Sequence, residues 1–153
     1  MYKIGDYIMY DYYVCRINGI LKDFFNNEDY YDMVSVYDES LSLKAPVSKS
    51  NLLKKVISKD KFSDLLNDIP NIDIIDIKNK NDRYDEYRKL INTLDEKNLI
   101  KIIKTEYKYN KKLKDQKELT YFGIAERIIY SEIAVVFDIS YDDAKKFLIE
   151  RIK

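Results

Sequence analysis

Residues 55–67, KVISKDKFSDLLN, divide the chain in two. Up to Ile57 the residues suit a pleated surface, and Lys55-Val56-Ile57 reads as a short strand. From Ser58 the period changes. Ser58 is an N-cap for a helix over Lys59 to Asn67, with Phe62, Leu65 and Leu66 at helical spacing. Working back from this boundary, Leu41-Ser42-Leu43-Lys44-Ala45 alternates, which points both leucines to one face and Ser42 and Lys44 to the other. Pro46 cannot donate to a ladder, so that strand reaches an edge there. Tyr30 to Tyr37 is aromatic and β-branched and follows a polar loop at Asn26-Asn27-Glu28-Asp29. Val14 to Ile20 is interrupted by Asn18-Gly19, either a tight turn or a bulge, because Gly accepts positive φ. Gly5-Asp6 is a turn signal before Tyr7-Ile8-Met9-Tyr10. Five short strands with turns every 8–12 residues predict a small barrel of the Tudor or SH3 kind.

Working forward, Pro70 stops the first helix, and Asn71 to Ile77 reads as an extended connector. Tyr84, Tyr87, Leu90 and Ile91 share one face of a helix over 82–92. Asp95 caps a third helix with Leu99, Ile102 and Ile103 on its apolar stripe. Asp115 and Glu118 resemble a capping box that opens the longest helix, to about Phe137. Ser140 starts the last, through Ala144, Phe147, Leu148 and Ile152. The expected fold is α+β in two domains: a five-stranded Tudor/SH3-like small β-barrel over 1–57 and a compact all-α bundle of about five helices over 58–153.

The composition narrows the chemistry. With no His and one Cys among 153 residues, a Ser–His–Asp triad, a Cys–His dyad, a His-ligated metal and a zinc ribbon are all excluded. Three Gly cannot build a glycine-rich phosphate loop. Cys15 lies in an apolar strand without a neighbouring base, so it is expected to be a small buried hydrophobe in a reducing, cytoplasmic setting. No apolar run approaches the ~20 residues of a membrane span. A non-enzymatic binding protein without cofactor, catalytic residue or metal site is expected.

Net charge is zero, from 27 basic and 27 acidic side chains, but unevenly spread. Lys97, Lys101, Lys104, Lys108 and Lys111 recur every three or four residues and so line one helix face opposite the apolar stripe. Such a strip is either a solvated face or a set of phosphate contacts with sequence-independent affinity. Tyrosine is abundant at 15 residues. Tyr2, Tyr7, Tyr10, Tyr12, Tyr13, Tyr30, Tyr31 and Tyr37 all fall in the β half. These are expected in core and rim packing, with room for an aromatic docking patch.

Taken in order, several segments resemble the CarD/CdnL family of bacterial transcription regulators, whose N-terminal module is shared with transcription-repair coupling factors. YKIGDYIMY is similar to the family's opening, and YYDMVSVYDESLSLKAPV to its central strands. DRYDEYRKLINTLDEKNLIKIIK is similar to the Arg-Tyr-led helix, turn and Asp-capped helix of its C-terminal domain, and AERIIYSEIAVVF to its penultimate long helix. The resemblance runs over nearly the whole chain in register.

The resemblance implies that residues 1–57 dock on the β subunit of bacterial RNA polymerase. It implies that 58–153 reach promoter DNA and stabilise the open complex through weak contacts without sequence specificity. Lys44 falls at the family's polymerase-contacting strand position beside Pro46, with a second basic contact near Lys22. Arg83 falls in the basic start of the DNA-facing helix, and Lys104 and Lys108 on the basic positions that follow; Lys101 belongs to the same strip. The family's wedge Trp would lie at Lys80, and this chain has no Trp. Lys80 can supply a charge directed at phosphate or groove, but not the apolar wedge that holds a distorted step open. A monomer is expected, with no membrane and no small-molecule substrate. The alternative is a protein–protein adaptor that binds polymerase without engaging DNA.

Overall fold

The computed structural model describes residues 1–109 and 116–153. It divides into two compact units, Met1–Ile57 and Ser58–Lys153.

The first unit is a five-stranded antiparallel sheet: β1 (Tyr7–Tyr10), β2 (Tyr13–Phe25), β3 (Glu28–Ser35), β4 (Ser42–Pro46) and β5 (Lys54–Lys55). The order is β4-β3-β2-β1-β5, so β4 and β5 are edges and the ladder does not close as a barrel would. Local chemistry fixes the register. Asp11 and Tyr12, both at positive φ, make the two-residue turn that pairs Tyr10 with Tyr13. Asn26 and Asn27, at φ 50° and 58°, make the turn that pairs Phe25 with Glu28. Two consecutive left-handed residues match the right-handed twist of the flanking strands, and Asn tolerates that conformation. The polar loop expected over 26–29 is therefore only two residues long, and Glu28 and Asp29 already belong to β3. Asn18-Gly19 is a bulge, because the register shifts between Ile17 and Gly19 while β2 continues. The last strand occupies Lys54–Lys55, slightly earlier than the expected 55–57.

One face of this sheet carries the core: Ile8, Cys15, Ile17, Tyr31, Met33, Ala45 and Leu53, with Tyr2, Tyr10, Tyr13, Ile20, Leu43 and Val47 packed around it. Tyr31 is fully buried, and its hydroxyl is 3.1 Å from the Tyr2 amide, which donates to it, and 3.1 Å from Ser50 Oγ. The Tyr2 hydroxyl donates to the Leu53 carbonyl at 3.1 Å. These tyrosines fill the core with their rings and satisfy buried backbone groups with their tips. Cys15 is wholly buried, and burial, helped by the nearby Asp11 charge, pushes its thiol up to about 12.

The second unit has five α-helices among the described residues: α1 (Lys59–Asn67), α2 (Lys80–Thr93), α3 (Glu96–Tyr109), α4 (Gln116–Phe137) and α5 (Tyr141–Ile152). Side-chain caps open four of them. Ser58 accepts from the Lys61 amide, Asn79 from Asp82, Asp95 from Asn98 and Ser140 from Asp143. The Asn79 cap starts α2 at Lys80, two residues before the expected 82. Leu94, at φ 52°, takes the left-handed position after α2, where Gly is the usual solution. Asp115 of the expected capping box and Lys111 of the lysine strip lie outside the described residues. The long α4 packs against each of the other four helices. Its Ala125, Ile128, Ile129 and Ile133 join Tyr84, Tyr87, Leu90 and Ile91 of α2, Leu99, Ile102 and Ile103 of α3, and Ala144 and Leu148 of α5 in the buried interior.

Candidate functional site

In the sheet, side chains alternate across β3. Tyr31 and Met33 point to the core, so Tyr30 and Asp32 point away from it. The register pairs Tyr30 with Pro46 and Asp32 with Lys44. Lys44 Nζ lies 3.3 Å from Asp32 Oδ1 and 3.0 Å from Ser42 Oγ, and 5.8 Å over the Phe24 ring. Phe24 in turn packs on Tyr30, with centroids 5.4 Å apart. Lys44 and Pro46, expected as neighbours, thus share the outer face of an edge strand with an aromatic pair beside them. Lys22 pairs with Asp29 at 3.1 Å. The Asp23 amide donates to the same carboxylate, and with Lys22 it holds Asp29 below the ordinary range. Phe24 and Phe25 are 49% and 59% exposed, the least sheltered aromatic pair on β2. Sequence reasoning passed over them; the signal was two adjacent phenylalanines directly before an Asn-Asn turn.

The helical unit redistributes the expected basic residues. Lys104 does not stand in a solvated strip. Its side chain is buried, and its ammonium donates to the carbonyls of Ile69 at 2.8 Å and Ile72 at 2.7 Å, with Pro70 at 3.4 Å. These carbonyls belong to the short 3-10 turn after α1 and the residue that ends it, where the Ile69 carbonyl also accepts from the Ile72 amide at 3.0 Å, and a cation satisfies the remaining lone pairs well. One residue on, Thr105 accepts from the Ile75 amide at 2.9 Å, so α3 stitches down the connector before α2. Lys104 is therefore engaged within the fold, and so is Arg83. The Arg83 guanidinium donates to Glu118 Oε1, through Nε at 3.0 Å and also through Nη2, and to the Ile77 carbonyl at 3.1 Å. Only 14% of its side chain and 3% of that of Glu118 are exposed. Burial pulls the Arg83 pKa down, and the hydrogen bond and charge of Glu118 more than offset it. Tyr87, one turn along α2, donates to Glu106 at 2.5 Å; burial and then that carboxylate hold its hydroxyl protonated well above the usual tyrosine range.

The remaining basic residues stay at the surface. Lys97 approaches Asp68 at 3.7 Å. Lys101 is half-buried, and Lys108 is exposed beside an open cleft of about 240 Å³ that Arg151 and Lys153 also line. Lys80 sits in the first turn of α2, 5.9 Å from the centroid of Tyr84. Lys117 reaches the same ring at 5.4 Å from the first turn of α4.

Among the described residues no three His, Cys, Asp or Glu side chains are grouped as metal ligands. No helix among them is long and apolar enough to cross a membrane. One unit thus carries an aromatic and basic sheet edge, and the other carries surface lysines, two of which meet over the Tyr84 ring. No protein-family model matches the chain, and no curated protein matches it.

Proposed function

We propose that the chain is a cytoplasmic, non-enzymatic transcription regulator of the CarD/CdnL kind. In this reading Met1–Ile57 is a Tudor-like module that docks on the β subunit of bacterial RNA polymerase, and Ser58–Lys153 approaches promoter DNA and lengthens the life of the open complex. The observation that carries it is the outer edge of the sheet. Lys44 and Pro46 lie on β4, which has a neighbour on one side only, and Phe24 and Tyr30 extend the patch. An edge strand with aromatic and cationic side chains has the makings of a protein interface, since such anchors dominate binding energy. Docking of this kind raises the local concentration of the helical unit at DNA, so few phosphate contacts suffice.

Co-purification with polymerase and open-complex lifetime test the proposal. Lys44→Glu is expected to weaken polymerase binding by tenfold or more, on the ~2 kcal/mol scale of an interface anchor. Unaltered affinity would displace the docking site, and an unchanged lifetime at saturating protein would remove the DNA half.

One observation favours an adaptor that binds polymerase without DNA. Arg83 and Lys104, two of the five residues expected to face DNA, are engaged inside the helical unit. Salt titration of the complex on promoter fragments separates the two readings, because phosphate contacts give a steep slope.

A further inference from the structure

The sheet holds one dipeptide whose chemistry its binding edge does not use. Asn18-Gly19 is the sole place in the sequence where Asn precedes Gly, and it falls at the bulge of β2. The register pairs Ile17 with Met33 and Gly19 with Asp32, which leaves Asn18 as the extra residue opposite no residue of β3. Such a residue is held less tightly than its neighbours, because the ladder is locally disrupted around it. Asn18 is exposed, and so is Arg16, two residues before it. Arg16 Nε donates to Asn18 Oδ1 at 2.9 Å. On the other side of the peptide bond Gly19 carries no side chain, and nothing lies within 4 Å of the place a β-carbon would take.

These features suit ring closure. In an Asn-Gly pair the glycine nitrogen can attack the side-chain carbonyl carbon of the asparagine, and glycine crowds that approach least. Negative charge then builds on Oδ1, where a guanidinium already donates. A donor aimed beforehand at a developing oxyanion lowers the barrier to its formation, and a charged donor does so more than a neutral one. We propose that Asn18 is a site of spontaneous deamidation, assisted by Arg16. The Gly19 amide gives up its proton to a base in solution, and its nitrogen bonds to Asn18 Cγ. The Cγ–Nδ2 bond breaks, and Nδ2 takes up a proton and leaves as ammonia. Water then opens the five-membered imide at either carbonyl. One opening gives aspartate at position 18 in the ordinary backbone, and the other gives isoaspartate, whose main chain runs through the side chain. The balance is one water consumed and one ammonia released. Isoaspartate lengthens the main chain by one atom at the bulge, beside the row in which Gly19 faces Asp32 and Asp32 faces Lys44.

The test is to incubate the full chain at mildly alkaline pH and follow every asparagine by peptide mass spectrometry, with enzymatic methylation to detect isoaspartate. Asn18 is expected to convert before all others, including the exposed Asn26 and Asn81. Arg16→Met is expected to slow the conversion about fivefold, the effect of one hydrogen bond to the developing charge. Arg16→Lys, which keeps a cation on the same strand, should restore part of the rate. Gly19→Ala has room in the sheet and should slow it further. Circular dichroism of each variant checks that the sheet persists. In guanidinium chloride, where Arg16 holds nothing in place, wild type and Arg16→Met should convert equally fast. If the folded chain keeps its Asn18 amide over the time in which half of the unfolded chain loses it, the fold shields the site and the proposal is overturned. If folded Arg16→Met converts as fast as folded wild type, the assistance by Arg16 is overturned.

Discussion

Both units carry surface ion pairs, but they differ in the charge they bury. In the sheet, Lys22–Asp29 and Lys44–Asp32 are surface pairs around an apolar and tyrosine core. In the helical unit, Arg83–Glu118, Tyr87–Glu106 and the Lys104 ammonium lie within the packed helices. The same residue types therefore mean different things in each half. A lysine on the sheet can meet a partner at little cost to the fold, whereas a lysine or arginine in the bundle can be a structural part whose loss exposes other buried polar groups. Charge reversal is therefore expected to spare the fold at the surface pairs of the first unit and to disturb it at the buried ones of the second.

The sharpest break of this contrast is at Glu118. Glu118→Gln leaves the Arg83 charge largely buried without its counter-ion, and is expected to cost about 3–5 kcal/mol, read as loss of helical signal in denaturant. The paired variant Arg83→Met with Glu118→Met should recover most of it, because two apolar side chains replace the buried pair. Lys104→Met follows, at about 2–4 kcal/mol, since three carbonyls lose a charged donor. A loss below about 0.5 kcal/mol, the range of ordinary surface substitutions, would return Lys104 to the surface strip.

On the sheet side the largest effect is alkaline. The Cys15 thiol has an ordinary value of 9.0 and stands at about 12 in the fold. Its raised value means that the stability it contributes is complete below pH 9 and is lost as pH climbs towards 12. From about pH 8 to 10 the wild-type chain should lose about 1.4 kcal/mol more than Cys15→Ala, measured by denaturant midpoints at each pH. Native Cys15 should also react with a thiol reagent at about pH 8 at least about a hundredfold more slowly than the unfolded chain. Smallest of all, Lys44→Ala should change stability by less than about 1 kcal/mol, as for a half-exposed pair. A larger loss would show that the sheet, like the bundle, builds on its charges.

Much of the fold was legible because its signals are local. Ser58, Asp95 and Ser140 cap helices whose first turns follow directly, and the apolar spacing of Tyr84, Tyr87, Leu90 and Ile91 is the buried face of α2. Pro46 marks an edge because the missing amide belongs to the residue itself. The site was less legible because its determinants lie far apart in sequence. Lys104 and Lys108 have identical periodicity, and only the carbonyls some 35 residues upstream make one a buried cap and leave the other in water. Arg83 and Glu118 are likewise separated by 35 positions. No window of helical length contains both, so neither their pairing nor the meeting of Lys80 with Lys117 can be read from spacing.

The inward-facing carboxylates change how the charge of the helical unit is distributed between interior and surface. Residues 58–153 carry 20 basic and 19 acidic side chains, an apparent stalemate. Yet Glu96, Glu106, Glu118 and Glu132 are buried, against Lys104 and the mostly buried Arg83. Among the described residues, the acids withdrawn from the surface of this unit therefore outnumber the bases by two. A net charge near zero can therefore coexist with a surface whose sign the sequence tally does not reveal.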